Sequence, residues 1–201
     1  MNLKFVVAIG YSEGGLQPLL TFFNHVPHDQ ATYIILRHIP IGQRGALAEI
    51  LKQHSKLTII EAENGMPIEN DKVYIPPSTS YMSIDRDILY LHPRTQESIY
   101  YNYTINFFLQ SLAQAKRERS IAVILSGAGL DGAVGVTKIH EAGGMVIAQD
   151  PTGCTHSEMP QNAIETKAVD HILLPAEMPE IITKFIHPIV GNANAVNRLK
   201  Q

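Results

Sequence analysis

Residues Lys4 to Phe23 read KFVVAIGYSEGGLQPLLTFF. The run Lys4 to Ile9 is dense in β-branched and aromatic side chains and closes on Gly10, which predicts a short strand. Leu16, Leu19, Leu20 and Phe23 then recur at helical spacing until Pro27 stops the pattern, which predicts a helix. Between the two lies Gly10-Tyr11-Ser12-Glu13-Gly14, a Gly-x-Ser-x-Gly pentapeptide at a strand-to-helix turn. The glycines permit a tight turn, the serine hydroxyl stands at the strand end, and free N–H groups of the incoming helix can stabilise an oxyanion. A glycine-rich turn of this kind also cradles phosphate, and a serine there also caps a helix. A dinucleotide fingerprint needs a second glycine where Ser12 stands, and no phosphate-loop lysine follows.

Outward from this stretch the same alternation continues. A strand over Thr32 to Leu36 leads into Arg37, His38 and Pro40, and a helix follows with Leu47, Ile50 and Leu51 on one face. After the run Leu57 to Ile60 the rhythm changes. Lys72 to Ile75 ends in Pro76 and Pro77, while Met82 to Ile84 and Ile88 to Leu91 flank Asp85-Arg86-Asp87 as a hairpin would. Helices are then expected over Ile105 to Ala115, Ala133 to Glu141 and Glu180 to Phe185. Strands are expected at Ile121 to Leu125, Met145 to Ala148 and His171 to Leu174. The pattern predicts an α/β fold: one domain over residues 1–187, a doubly wound, mostly parallel sheet and an inserted β-hairpin. Residues 188–201, rich in Asn and Ala, read as a tail that frays or joins another element.

Composition agrees with a single enzyme-sized domain. The chain has 201 residues, 45% of them hydrophobic, enough for a sizeable core. Only 17% are charged, and 14 Gly with 12 Pro suit many tight connections. A net charge of −3 and scattered basic residues exclude nucleic acid as a main partner; the one basic group, Lys116, Arg117 and Arg119, reads as a solvated helix end. The first ten residues are too short for a membrane span and lack a signal-peptide pattern, so no membrane insertion and a cytoplasmic location are expected.

The residues with chemical potential fall after strand ends. Ser12 follows the first strand, His38 the second, and Asp131 the run Ile121 to Leu125. In an open α/β sheet this edge forms the binding crevice, so distant residues converge there. Each has a structural alternative, since a histidine after a strand is commonly a bonded loop residue and an Asp before a helix its cap. Asp150 also follows a strand, and spacing leaves the choice between Asp131 and Asp150 open. The order Ser, His, Asp differs from the Ser, Asp, His order of α/β-hydrolases, although triads are defined by geometry. No Cys/His spacing suggests a metal site: His25 and His28 straddle Pro27, and His140 and His171 read as surface residues. The one cysteine, Cys154, has no neighbouring base and reads as a packed side chain.

At these residues the sequence resembles the catalytic domain of the CheB chemotaxis protein-glutamate methylesterases, particularly the version fused to the CheR methyltransferase. The likeness runs from about residue 4 to 185 through Ile9–Gly15 (IGYSEGG), Leu36–Pro40 (LRHIP), Val73–Pro77 (VYIPP), Ile105–Ala113 (INFFLQSLA), Leu125–Gly132 (LSGAGLDG), Ala148–Pro151 (AQDP) and Met159–Ile164 (MPQNAI). The resemblance implies Ser12 as nucleophile, His38 as base and Asp131 as the orienting carboxylate, with Glu13, Gly14 and Ala128 around the oxyanion. It implies no cofactor, a methyl-accepting chemoreceptor as substrate, methylated glutamates and sometimes glutamines as targets, and a CheR-like methyltransferase as system partner.

Several residues depart from the family pattern. Glu13 stands in place of Thr or Ala and would act on His38 or repel the oxyanion; Arg37 replaces Gln and would offset that charge. Ala128 replaces Met but keeps its N–H. Asn106 replaces Asp, after Tyr101 to Thr104 in place of a basic-Pro-Ser lead-in. The family's amino-terminal receiver domain is not expected, because Ser12 stands so near the start of the sequence. These departures leave a non-catalytic signalling or binding module as the alternative, and a phosphate binder at Gly10 to Gly15 as a third reading.

Overall fold

The computed structural model describes residues 4–42, 45–94 and 103–187. Strands β1 (Val6–Tyr11), β2 (Thr32–Arg37), β3 (Thr58–Glu61), β5 (Lys72–Ile75), β8 (Ser120–Ile124), β9 (Met145–Gln149) and β10 (His171–Leu173) form a seven-stranded sheet in the order β10-β9-β8-β1-β2-β5-β3. Every pairing in it is parallel. β4 (Met66–Pro67), β6 (Ser80–Asp85) and β7 (Ile88–Pro93) make a separate antiparallel sheet, β4-β7-β6. The hairpin expected around Asp85 to Asp87 is β6-β7, with the two-residue β4 added on its far edge. β4 is too short to carry a sequence pattern.

β1 is buried along its whole length because helices cover both faces of the sheet, which is why it reads as one apolar run instead of an alternation. Its side chains still divide by strand parity. Val7, Ile9 and Tyr11 join Tyr33 and Ile35 of β2 on the face covered by α1 (Leu16–His25), α2 (Leu47–Leu51) and α6 (residues 178–187). Val6 and Ala8 join Ile34 and Leu36 on the face covered by α3 (Thr104–Lys116), α4 (Ala133–Glu141) and α5 (Glu158–Glu165). The antiparallel sheet lies on α3, contributing Met82, Ile84 and Leu89 to this second core, and Ser111 Oγ accepts the Ile84 N–H at 3.1 Å.

Two details differ from expectation. α6 begins before Glu180, and α5 was not expected as a helix at all: it is short and buries only Met159, Pro160 and Ala163. Lys116, read as part of a solvated helix end, is buried, with its ammonium on the Asp87 carboxylate. The proposed tail, residues 188–201, lies outside the described residues. No helix among the described residues is long and apolar enough to cross a membrane.

The topology fixes where a crevice forms. From β1 the chain passes through α1 to β2 on one side, whereas β8 lies against β1 on the other. Strand order therefore reverses beside β1, and the loops after β1, β2 and β8 meet at that carboxyl edge.

Candidate active site

Ser12 is the first residue after β1 and is half-buried. Its N–H donates to Ser126 O at 3.1 Å and its carbonyl accepts the Gly15 N–H at 3.1 Å, so the turn into α1 is bonded within itself and to the loop after β8. Gly14 has φ +77°, and a Cβ there would stand 2.8 Å from Thr155 Cβ, so both backbone and space require glycine. The close approach is mutual: a Cβ on Gly127 would lie 2.2 Å from Met159 Sδ and 2.9 Å from Ser12 Cβ.

His38 follows β2, and continuing the strand parity places it on the α3 face with Leu36. Its Nε2 lies 2.7 Å from Asp131 Oδ2. Asp131, in the loop between β8 and α4, is almost wholly buried. Its carboxylate accepts two further bonds, from Ile105 N–H to Oδ2 at 2.8 Å and from Asn106 N–H to Oδ1 at 2.9 Å. These are first-turn amides of α3, donors without partners inside their own helix and at the positive end of its dipole. Asp131 thus caps α3 from a distant loop and holds the imidazole with one of the same two oxygens, Oδ2. A carboxylate only accepts, so Nε2 donates and Nδ1 carries the lone pair. The Ser12 hydroxyl and His38 are not hydrogen-bonded to each other.

Asp150 does not join this group. Its carboxylate accepts Thr152 N–H at 2.9 Å and Thr152 Oγ1–H at 2.8 Å, capping a 3₁₀ turn over Pro151–Gly153, and the Thr152 N–H bond pulls its pKa down. The ambiguity left by strand-end spacing therefore has a local answer. One aspartate is engaged by its own turn, the other by His38 and α3.

The N–H groups of Glu13 and Gly14 at the turn, and of Ala128 in the loop beside it, have no acceptor among the described residues, as is also true of Gly129, Leu130 and Asp131 further along that loop. Asn106, buried, supports this loop: its Oδ1 accepts Gly132 N–H at 3.1 Å and Gly135 N–H at 2.7 Å. It ties the start of α3 to the start of α4, on either side of Asp131.

The Glu13 carboxylate makes no ion pair with His38. Its Oε1 lies 3.7 Å from Nε2 of His156, a residue that carried no signal in the sequence reading. The expectation that Arg37 offsets Glu13 is corrected by parity: Arg37 continues the Tyr33, Ile35 face, opposite His38, and lies against Tyr11. Burial pushes the Tyr11 phenol up, and the Arg37 guanidinium pulls it part of the way back.

The mounting of His156 was also invisible in sequence. Ser126 Oγ donates to His156 O at 2.9 Å and accepts its N–H at 3.1 Å, Gly127 N–H donates to His156 O at 2.9 Å, and Gln149 Oε1 accepts the Ser126 N–H at 2.9 Å. Ser126 and Gln149 are buried polar residues at the ends of β8 and β9, a signal that could have marked them. No three His, Cys, Asp or Glu side chains among the described residues converge as metal ligands.

A family model described as CheB methylesterase matches residues 7–182. The chain belongs to the CheB methylesterase family. It is similar to the solved Thermotoga maritima CheB methylesterase catalytic domain, at 31% identity and a TM-score of 0.81, covering 91% of this chain and 97% of that one. That likeness includes the parallel sheet with its antiparallel companion. A protein-glutamate methylesterase/protein-glutamine glutaminase of Pyrococcus horikoshii is 32% identical over 196 residues, 95% of this chain and 53% of its own length. The chain thus spans about half of that relative. A putative protein of the same name from Leptospira interrogans is 29% identical and matches over 92% of this chain and 96% of its own length.

Proposed function

We propose that the chain is a serine esterase that hydrolyses methyl esters of protein glutamates and deamidates glutamines, as the relatives' names describe. Ser12 is the nucleophile, His38 the base and Asp131 the residue that orients it. The observation that carries this reading is the 2.7 Å contact of His38 Nε2 with Asp131 Oδ2 beside the turn at Ser12.

His38 Nδ1 takes the Ser12 proton as Oγ attacks the ester carbonyl. The oxyanion lies toward the N–H groups of Glu13, Gly14 and Ala128. The imidazolium then protonates the departing methoxide, and methanol leaves an acyl-enzyme. A water deprotonated by His38 attacks that acyl group, and return of the proton to Oγ frees the glutamate. No cofactor takes part in these steps.

The substrates under this reading are methyl-accepting chemoreceptors, with a CheR-like methyltransferase adding the esters in the cytoplasm. The motifs resemble the version fused to CheR, and residues 1–187 form the catalytic unit. The test is hydrolysis of a peptide glutamate methyl ester by the chain and by Ser12→Ala. Release of methanol that the substitution abolishes is expected, and an unchanged rate overturns the assignment.

A non-catalytic module is the competing reading, drawn from the missing bond between Ser12 and His38. Labelling of Ser12 by a serine-directed phosphonate separates the two, because only an activated hydroxyl reacts.

A further inference from the structure

A cavity of about 570 Å³ opens at the carboxyl edge of the large sheet, around the end of β2 from His38. Arg37, Ile75, Pro77, Ser78 and Thr79 line it, with Leu47 of α2 behind. Arg37 and His38 are consecutive but project to opposite faces of β2, so this cavity and the Ser12 site share one edge without sharing a wall. Arg94 Nη1 donates to Ile39 O at 2.9 Å and to Ser78 O at 3.0 Å, tying together the loops after β2 and β5 that shape the rim.

Among the described residues the cation in this cavity has no anion. Arg37 Nε is buried without a hydrogen-bond partner, and among the described residues no carboxylate lies within ion-pairing distance of the guanidinium. Its polar neighbour is the Tyr11 phenol. Desolvated guanidinium donors are costly to leave unmatched, and their planar fork fits a carboxylate. Glu61 also lines the cavity but is exposed and does not pair with Arg37. With one cation and one rim carboxylate among the described lining residues, a singly charged occupant suits the site, whereas a phosphate dianion would meet Glu61 repulsion.

We infer that this cavity is a subsite for an acidic side chain of the protein substrate, held by Arg37 while the ester lies at Ser12. The inference rests on the esterase reading and adds to it a preference for substrates with Asp or Glu near the modified glutamate.

Two measurements test it. The first needs no catalysis: the Arg37 Nε–Hε NMR signal of the unmodified chain, assigned by its loss in Arg37→Gln, is followed during titration with N-acetylglutamate amide and, separately, inorganic phosphate. A saturable shift with the glutamate compound and a weaker one with phosphate is expected. No shift, or a stronger response to phosphate, overturns the subsite. The second compares methyl-ester peptides carrying Glu or Gln beside the ester. The acidic peptide is expected to have the lower KM, and Arg37→Gln should cut the ratio of the two kcat/KM values about tenfold. A ratio that Arg37→Gln leaves unchanged overturns the preference. If neither peptide is hydrolysed, the esterase reading fails while the NMR titration still decides the subsite.

Discussion

His38 Nε2 and Ile105 N–H converge on a single oxygen, Asp131 Oδ2, at 2.7 and 2.8 Å. The carboxylate is therefore set by the fold as firmly as by the histidine, since α3 must dock for its first amides to reach it. Asp131→Asn would present one amide nitrogen, a donor, to groups that are all donors. It would also remove the charge that stabilises the imidazolium during attack. We expect kcat to fall by about 10³ to 10⁴ and stability by about 1–3 kcal/mol. Ester hydrolysis and thermal melting of the same preparation check both effects. A rate near that of the unmodified chain would remove Asp131 from the mechanism.

Asn106 occupies a position where the family resemblance leads one to expect aspartate, and its Oδ1 accepts two N–H groups, from Gly132 and Gly135. What the structure uses there is an oxygen acceptor, which either residue supplies. Asn106→Asp should consequently fold and keep most of its stability. Asn106→Ala leaves two buried donors unmatched and should cost about 1–3 kcal/mol, with a lower kcat because Gly132 adjoins Asp131. Denaturant unfolding of the two variants side by side tests the contrast; equal losses would mean that the side-chain oxygen is not what the site requires.

The fold was legible because the central strands of a parallel sheet, covered on both faces, are written as continuous apolar runs such as Val6 to Ile9 and Ile121 to Leu125. Helix α5 escaped notice because it is only eight residues long and carries Pro160 in its first turn, a residue that reads as a helix breaker, and β4 is only two residues long. In the site, strand-end placement nominated Ser12 and His38 but left Asp131 and Asp150 level. The difference between them lies in backbone donors, the Ile105 and Asn106 amides for one and Thr152 for the other, and backbone donors leave no mark in a side-chain pattern. His156 was missed for a related reason: its meeting with Glu13 depends on how Ser126 carries the two loops together.

Cys154 is expected to be inert. Burial, reinforced by the charge of Asp150, raises its thiol pKa from 9.0 to about 11. Since only the thiolate attacks, raising the pKa lowers the reactive fraction at neutral pH, by about a hundredfold for two pKa units. Iodoacetamide should modify the folded chain slowly at pH 7.5, and the rate should keep rising with pH until it approaches 11. In denaturant the slow phase should vanish. Rapid labelling of the folded chain at neutral pH would contradict the burial that the structure gives this residue.

Glu13 and His156 are expected to influence rate far more than stability. Their carboxylate and imidazole are 3.7 Å apart, and Glu13 is 71% exposed, so the ion pair is screened by water and contributes little to folding. Under the proposed mechanism the same charge stands beside its own N–H, one of the donors toward which the oxyanion lies. The carboxylate opposes the developing negative charge, and the His156 imidazole beside it is the contact that holds the carboxylate to one side. Glu13→Gln should therefore raise kcat about threefold to tenfold at pH 8 in low salt, with the gain shrinking as ionic strength rises. His156→Ala should lower kcat, because the carboxylate loses the partner that holds it to one side, and have little effect once Glu13 is already Gln. The double-variant cycle, read from kcat at two salt concentrations, measures this coupling. Independent effects of the two substitutions would show that Glu13 meets the oxyanion without His156.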